Sequence, residues 1–168
     1  MISISKFIMK NQFYNKISQI TSLLQKHNIQ YLIIGGIAVA YHGYIRNTIL
    51  PNGKVSERLD IDIWYNPTLE NYYNLLKVFN ELGVDISTFN DSVVPKESFF
   101  KFEFDEYDFD CLPIMENIEL KFHDFYDRKI TSKNINFISL KDLIHIKEIS
   151  NRDKDKIDIK FLKEINDI

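Results

Sequence analysis

Tyr31-Leu32-Ile33-Ile34-Gly35-Gly36-Ile37-Ala38-Val39-Ala40-Tyr41-His42 sets a short apolar run against a glycine pair and a second apolar run. Tyr31 to Ile34 is too short for a stable helix and uniformly apolar, which reads as a buried strand. Gly35-Gly36 ends it. Ile37 to His42 reads as a short helix that Gly43 closes near its C-cap. A glycine pair lets a backbone approach a phosphate closely, and a helix start adds free N–H groups and partial positive charge. The same pair also serves any tight strand–helix turn, so on its own it is a weak signal.

Upstream, Phe13, Ile17, Ile20 and Leu24 recur at helical spacing and predict a helix over about Asn11 to His27. Downstream, Tyr44 to Arg58 reads as a mobile loop, with turn chemistry at Pro51-Asn52-Gly53. Leu59 to Tyr65 alternates acid with Ile, and a period of two means strand. Thr68 is a candidate N-cap for a helix with Tyr72, Leu75, Leu76, Phe79 and Leu82 inward and Gly83 as its stop. Ser98 to Leu112 predicts a hairpin turning at Asp105-Glu106, and Pro113 ends it. Glu116 to Arg128 is weakly helical and Asn136 to Ile138 is a short strand. Ser139 with Asp142 resembles a capping box. The last helix covers about Asp153 to Ile165, with Ile157, Phe161, Leu162 and Ile165 inward. This order predicts an α/β (α+β) fold with a mixed sheet flanked by helices. It predicts a single domain over 1–168, with the C-terminal helices, about 139–166, packing on the core.

The chain has 168 residues, 45% of them hydrophobic and 27% charged, an ordinary globular balance that excludes a fibre or a disordered tail. Its net charge of −3 gives no support for sequence-wide nucleic-acid binding, and no DNA partner is expected. The lone Cys111 allows no internal disulfide and no cysteine-based zinc site. No apolar run reaches the ~18–20 residues of a membrane span, and Met1 to Lys10 lacks a signal peptide's apolar core. A cytoplasmic protein without membrane contact is the expectation.

Asp60 and Asp62 stand two apart on one strand and so share a face. Two carboxylates there are costly unless solvated or bridged by a cation. Mg²⁺ takes oxygen ligands and usually keeps waters beside one or two carboxylates and substrate phosphates. Asp108 and Asp110 repeat the spacing on the hairpin, and a third carboxylate from a neighbouring strand would complete a two-metal site. A solvated outer face explains either pair alone. His42 reads as a helix-end residue, Trp64 as packing, and Asp155 with Asp158 as partners of Lys154 or Arg152.

The order of glycine turn, paired acids on the next strand and a further acid on a later strand resembles the nucleotidyltransferase superfamily with the polymerase-beta-like core. Ile34-Gly35-Gly36-Ile37-Ala38-Val39, His42-Gly43-Tyr44-Ile45-Arg46-Asn47-Thr48 and Leu59-Asp60-Ile61-Asp62-Ile63-Trp64 resemble its small bacterial branch. That branch is related to abortive-infection toxins of type IV toxin–antitoxin systems. Asn66-Pro67-Thr68 and Glu70-Asn71 continue the likeness. Lys147, Arg152, Lys154-Asp155 and Asp158 resemble the branch's final helical motif. The likeness spans about Tyr31 to Leu162.

The resemblance implies the nucleotidyltransferase fold and transfer of a nucleoside monophosphate from a nucleoside triphosphate to a hydroxyl of a protein, a tRNA or a small molecule. A cognate antitoxin is an implied partner. Asp60, Asp62 and Asp110 would be the catalytic and metal residues, holding Mg²⁺ or Mn²⁺. Asp110 would also help deprotonate the acceptor, with Asp108 as its fallback. Gly35, Gly36, Arg46, Thr48, Arg58, Lys147, Arg152 and Lys154 would bind the nucleotide. Two features depart from the pattern. Ile37 stands where the superfamily often has Ser, which removes a hydroxyl contact. Ile49 to Leu59 separates Arg46 and Thr48 from the acids, either lifting Arg46 out of the site so that Arg58 substitutes or forming a substrate-gating loop. The rival readings are a non-catalytic nucleotide- or partner-binding module of the same fold and a metal-dependent phosphodiesterase.

Overall fold

The computed structural model describes residues 14, 17–45, 58–89, 94–115 and 121–168. The start of the first helix, including Phe13, most of the loop expected from Tyr44 to Arg58, and 116–120 of the weak helix lie outside the described residues. So do Arg46 and Thr48.

Helix α1 (17–26) leads into β1 (Tyr31–Ile33), which turns through Gly35 directly into α2 (Gly35–Tyr41). Strand β2 (Leu59–Tyr65) precedes α3 (Leu69–Glu81), β3 (Phe100–Phe104), β4 (Tyr107–Leu112) and α4 (Phe122–Tyr126). A hairpin of β5 (Ile130–Ser132) and β6 (Ile135–Phe137) then leads to α5 (Leu140–Ser150) and α6 (Asp153–Asn166). The strands form one six-stranded mixed sheet in the order β3-β4-β2-β1-β6-β5. β2 runs parallel to β4, and β1 parallel to β6; the other neighbours are antiparallel. The protein is therefore a mixed α/β chain with helices on both faces of its sheet.

Period-two alternation decides what each face carries. Ile61, Ile63 and Tyr65 of β2 join Tyr31, Ile33, Tyr107, Phe109 and Cys111 under α1 and α3. Helix α3 supplies Tyr72, Leu75, Leu76, Val78 and Phe79 to that core. It is capped by Thr68, whose Oγ1 accepts from Asn71 N. Buried Asn71 then donates to the carbonyls of Gln30 and Asn66 and accepts from Gln30 N, tying the helix start to the sheet.

The opposite face has a second core of Leu32, Ile34 and Trp64 beneath Ala38, Val39, Phe122, Phe125, Leu143, Ile144, Ile146 and Leu162. Trp64 packs on Phe122 and Phe125 and donates to the Pro113 carbonyl. None of that cluster's buried residues comes from β3 or β4, or from β2 before Trp64. Among the described residues, the buried members of this second core do not extend over the acidic half of the face.

Three expectations are corrected. The short strand is Ile135–Phe137, shifted by one residue, and its partner β5 was not expected. Their turn uses Lys133 and Asn134, both at positive φ (47° and 63°), in place of glycine. Within the described part of Glu116 to Arg128, the helix is confined to Phe122–Tyr126. On α6, Ile157 and Ile165 are 50% and 46% exposed, whereas Asp155, Asp158 and Leu162 are fully buried. An ion-pair network with Lys147 of α5 turns the aspartates inward.

The expected cap at Ser139 is present. Asp142 N donates to Ser139 Oγ, and that hydroxyl donates to Asp142 Oδ2. Asp142 also receives two hydrogen bonds from Arg128, which joins the end of α4 to the start of α5.

Candidate functional site

Strand pairing lays the acids out in two rows across β3, β4 and β2. Parallel register puts Asp62 beside Asp110 and Asp60 beside Asp108. Antiparallel register puts Lys101 opposite Asp110 and Glu103 opposite Asp108. One row therefore reads Lys101, Asp110, Asp62, and the other Glu103, Asp108, Asp60. All six side chains stand on the face opposite the first core, because their neighbours Ile61, Ile63, Tyr107, Phe109 and Cys111 go to that core.

Gly35 closes the inner end of the first row. Ile34 N donates to the Asp62 carbonyl at 3.0 Å, so the chain leaves β1 alongside Asp62. Gly35 then adopts a φ of +61°. A Cβ there would overlap Asp62 Oδ2 and lie 2.7 Å from its Cγ. Glycine is required both by the backbone and by the carboxylate pressed against its Cα. Gly35→Ala is expected to cost about 2 kcal/mol or more, since the left-handed backbone alone costs ~1–2 kcal/mol. It should also push Asp62 out of line, and thermal melting read together with divalent-cation binding checks both effects.

Burial pushes the Asp62 carboxyl above its ordinary pKa, and the charges of Asp110 and Asp60 add to that rise. Lys154 and Lys147 pull it the other way. Asp60 is raised first by burial and then by Asp108 and Asp110, against Lys154 and Lys101. Among the described residues, Lys154, Lys147 and Lys101 do not offset the combined effect of burial and of the neighbouring carboxylates on Asp60 and Asp62.

Two cations already touch the outer acids. Arg58 donates through Nε to Asp108 Oδ1 at 2.6 Å and to the carbonyls of Asp105 and Tyr107. Its Nη2 also lies 3.6 Å from Glu103. Lys101 Nζ donates to Asp110 Oδ2 at 2.9 Å. Asp108, the fallback third acid, is therefore held by Arg58, while Asp110 lies nearer Asp62.

The C-terminal basic residues divide by role. Exposed Lys154 sits in the first turn of α6, within electrostatic reach of both Asp60 and Asp62. Arg152 stands at the N-cap position of that helix without a side-chain capping bond, donates to Asp155 through Nε and Nη2, and also feels the Asp62 charge. Lys147 is buried, its ammonium 2.9 Å from Asp155 and 2.8 Å from Asp158. It faces these two aspartates, where the sequence suggested a nucleotide. His42 bonds the Ile138 carbonyl, and Cys111 is buried in the first core with its thiol pushed well up by desolvation.

Neither a protein-family model nor a curated protein matches this chain.

Among the described residues, no three His, Cys, Asp or Glu side chains close into a ready-made metal cage. Asp60, Asp62 and Asp110 are carboxylates on adjacent strands, the oxygen-donor chemistry that Mg²⁺ takes one or two at a time beside water and phosphate. Lys101 shows that the Asp110 carboxylate already accepts a cation on this face. Among the described residues, no helix is long and apolar enough to cross a membrane.

Sequence reading missed Lys101 and Glu103. The signal was present, since a hairpin turning at Asp105-Glu106 sets Lys101 opposite Asp110.

Proposed function

We propose that the protein is a Mg²⁺- or Mn²⁺-dependent nucleotidyltransferase with the polymerase-beta-like fold. The observation that carries this reading is the register pairing of Asp62 with Asp110, beside Asp60 and against Gly35. Asp60 and Asp62 would hold the cation, with Asp110 completing the set. Bound there, the cation would polarise the triphosphate and lower the pKa of the attacking hydroxyl.

The chain's own residues supply position and charge. The resemblance would set the triphosphate along the backbone of Gly35 and Gly36, on the side of the turn away from the Asp62 carboxylate that packs against Gly35. Lys154 and Arg152 approach from α6 and offset negative charge at the β2 acids. An acceptor hydroxyl oxygen forms a bond to the α-phosphorus as the bond to the bridging oxygen of pyrophosphate breaks. The hydroxyl proton passes to an Asp110 oxygen, and pyrophosphate leaves. The acceptor would be a hydroxyl of a protein, a tRNA or a small molecule, in a toxin or phage-defence setting with a cognate antitoxin.

One observation favours a second reading, a non-catalytic nucleotide- or partner-binding module. Arg58 and Lys101 already engage Asp108 and Asp110. Incubation with each α-labelled nucleoside triphosphate, Mg²⁺ and cell extract separates the readings. Label on a macromolecule or small hydroxyl compound is expected for the transferase. Bound nucleotide without turnover supports the module, and water as sole acceptor supports a phosphodiesterase.

A further inference from the structure

We propose that Lys101 is a tethered counter-cation that holds the Asp110 carboxylate until a divalent cation displaces it. This rests on the reading of Asp60, Asp62 and Asp110 as a divalent-cation site.

Lys101 belongs to β3, the strand at one end of the sheet. A lysine on an edge strand commonly guards against edge-to-edge association by keeping its charge in solvent. Lys101 instead folds over its own hairpin partner, with Nζ 2.9 Å from Asp110 Oδ2. Its charge also acts on Asp62 and Asp60, the remaining acids of the candidate site. Among the described residues, its hydrogen bond is to Asp110.

Arg58 makes the contrast. It grips Asp108 and also donates to the Asp105 and Tyr107 carbonyls, so it is bound into the hairpin. Releasing Asp108 would break several charge-assisted bonds at once. Releasing Asp110 asks Lys101 to give up one contact on a side chain that is 73% exposed and can rotate into water. An exposed lysine–carboxylate pair is weak because water replaces either partner at little cost. The two acid rows therefore differ. The Asp108 row is closed by a fixed guanidinium, and the Asp110 row by a removable ammonium.

A divalent cation arriving at Asp62 and Asp110 meets an ammonium at the same carboxylate. The two repel, and they compete for the same oxygens. Lys101 thus sets the cation concentration at which the site fills. Without a cation it limits the repulsion among Asp60, Asp62 and Asp110.

Mn²⁺ alone, followed by the loss of its free-ion electron paramagnetic resonance signal, tests this on the full chain without nucleotide. Lys101→Met keeps the apolar stem and removes the charge. It should tighten Mn²⁺ binding about fivefold, the upper range for an exposed ion pair. Lys101→Arg keeps the charge and should bind Mn²⁺ within about twofold of the parent. In an Asp110→Asn background, Lys101→Met should lose most of its effect. Circular dichroism checks that each variant folds, and Lys101→Gln serves as the second neutral variant. Equal Mn²⁺ affinity in parent, Met and Gln variants would leave the cation site standing and overturn the role of Lys101 in favour of an edge guard. Absence of Mn²⁺ binding in every variant would overturn both. Binding that emerges only in the neutral variants would support the proposal most directly.

Discussion

Asp62→Asn should abolish nucleotide transfer while leaving the protein as stable as before, or slightly more so. The two halves of this expectation have different causes. Activity needs a carboxylate at this position to attract and hold the cation, and an amide carries no charge. Loss of an outer-shell partner at a metal site costs ~10–100-fold. Loss of the ligand itself should exceed that, at about 100-fold or more in labelled-nucleotide transfer. Stability runs the other way. Burial, Asp110 and Asp60 all disfavour the ionised Asp62 in the folded chain. Replacing it by a neutral group of the same shape relieves that repulsion and keeps the close packing against Gly35. The backbone bond from Ile34 to the residue-62 carbonyl is unaffected. Asp60→Asn should behave alike with a smaller gain in stability, because Asp60 is more exposed. Transfer assays paired with thermal melts check both halves. Full activity in both variants would remove the proposed site. Activity lost together with a large fall in melting temperature would mean that Asp62 serves the fold.

Such opposition between stability and use is expected of a functional cluster. It also explains why the acids were legible in the sequence. Asp60 and Asp62 alternate with Ile61 and Ile63, and period two sends the isoleucines to the core and the acids to the opposite face. What alternation could not supply was which strand lies beside β2. The parallel pairing with β4 is a long-range choice, and only that choice sets Asp62 against Asp110. Gly35 was likewise visible as a turn, but its contact with the Asp62 carboxylate depends on how β1 and β2 align. β5 escaped, and β6 was placed one residue late, because strands of three residues are too short to show alternation. On α6, hydropathy pointed the wrong way. Leu162 is buried as expected, but Ile157 and Ile165 were assigned inward and are exposed, while Asp155 and Asp158 were given only Lys154 or Arg152 as partners, since pattern reading assumes that carboxylates prefer water. That assumption fails where a buried cation awaits them, and Lys147 lies on a different helix.

Lys147→Met should be the most destabilising single change outside the apolar core. The ammonium of Lys147 lies between Asp155 and Asp158, with all three side chains almost wholly buried. Removing it takes the central cation from two desolvated carboxylates. Breaking a buried pair in this way costs ~3–5 kcal/mol. For a chain of this size each kcal/mol shifts melting by about 2–4 °C, so a fall of roughly 10 °C is expected. Acid separates this from a simple loss of packing. Burial alone would raise the Asp155 carboxyl, but the bonds from Arg152, Lys147 and Ser150 outweigh it and hold it well below the usual carboxylate range. A carboxyl whose folded pKa is depressed stabilises the fold above its unfolded pKa of ~3.9, and that contribution is lost as pH falls further toward the folded value. The parent should therefore weaken in acid below about pH 4. In Lys147→Met the cation is gone and protonation relieves the buried charge, so acidification costs the variant less. The gap in melting temperature should be steady from pH 7 to about pH 4 and narrow as pH falls below that. A constant gap would assign the loss to packing of the lysine stem. The network also joins α5 to the start of α6, where Lys154 faces the β2 acids. Lys147→Met should accordingly weaken Mn²⁺ and nucleotide binding even at temperatures where the variant remains folded. Unchanged binding there would show that Lys154 holds its place without the buried lysine.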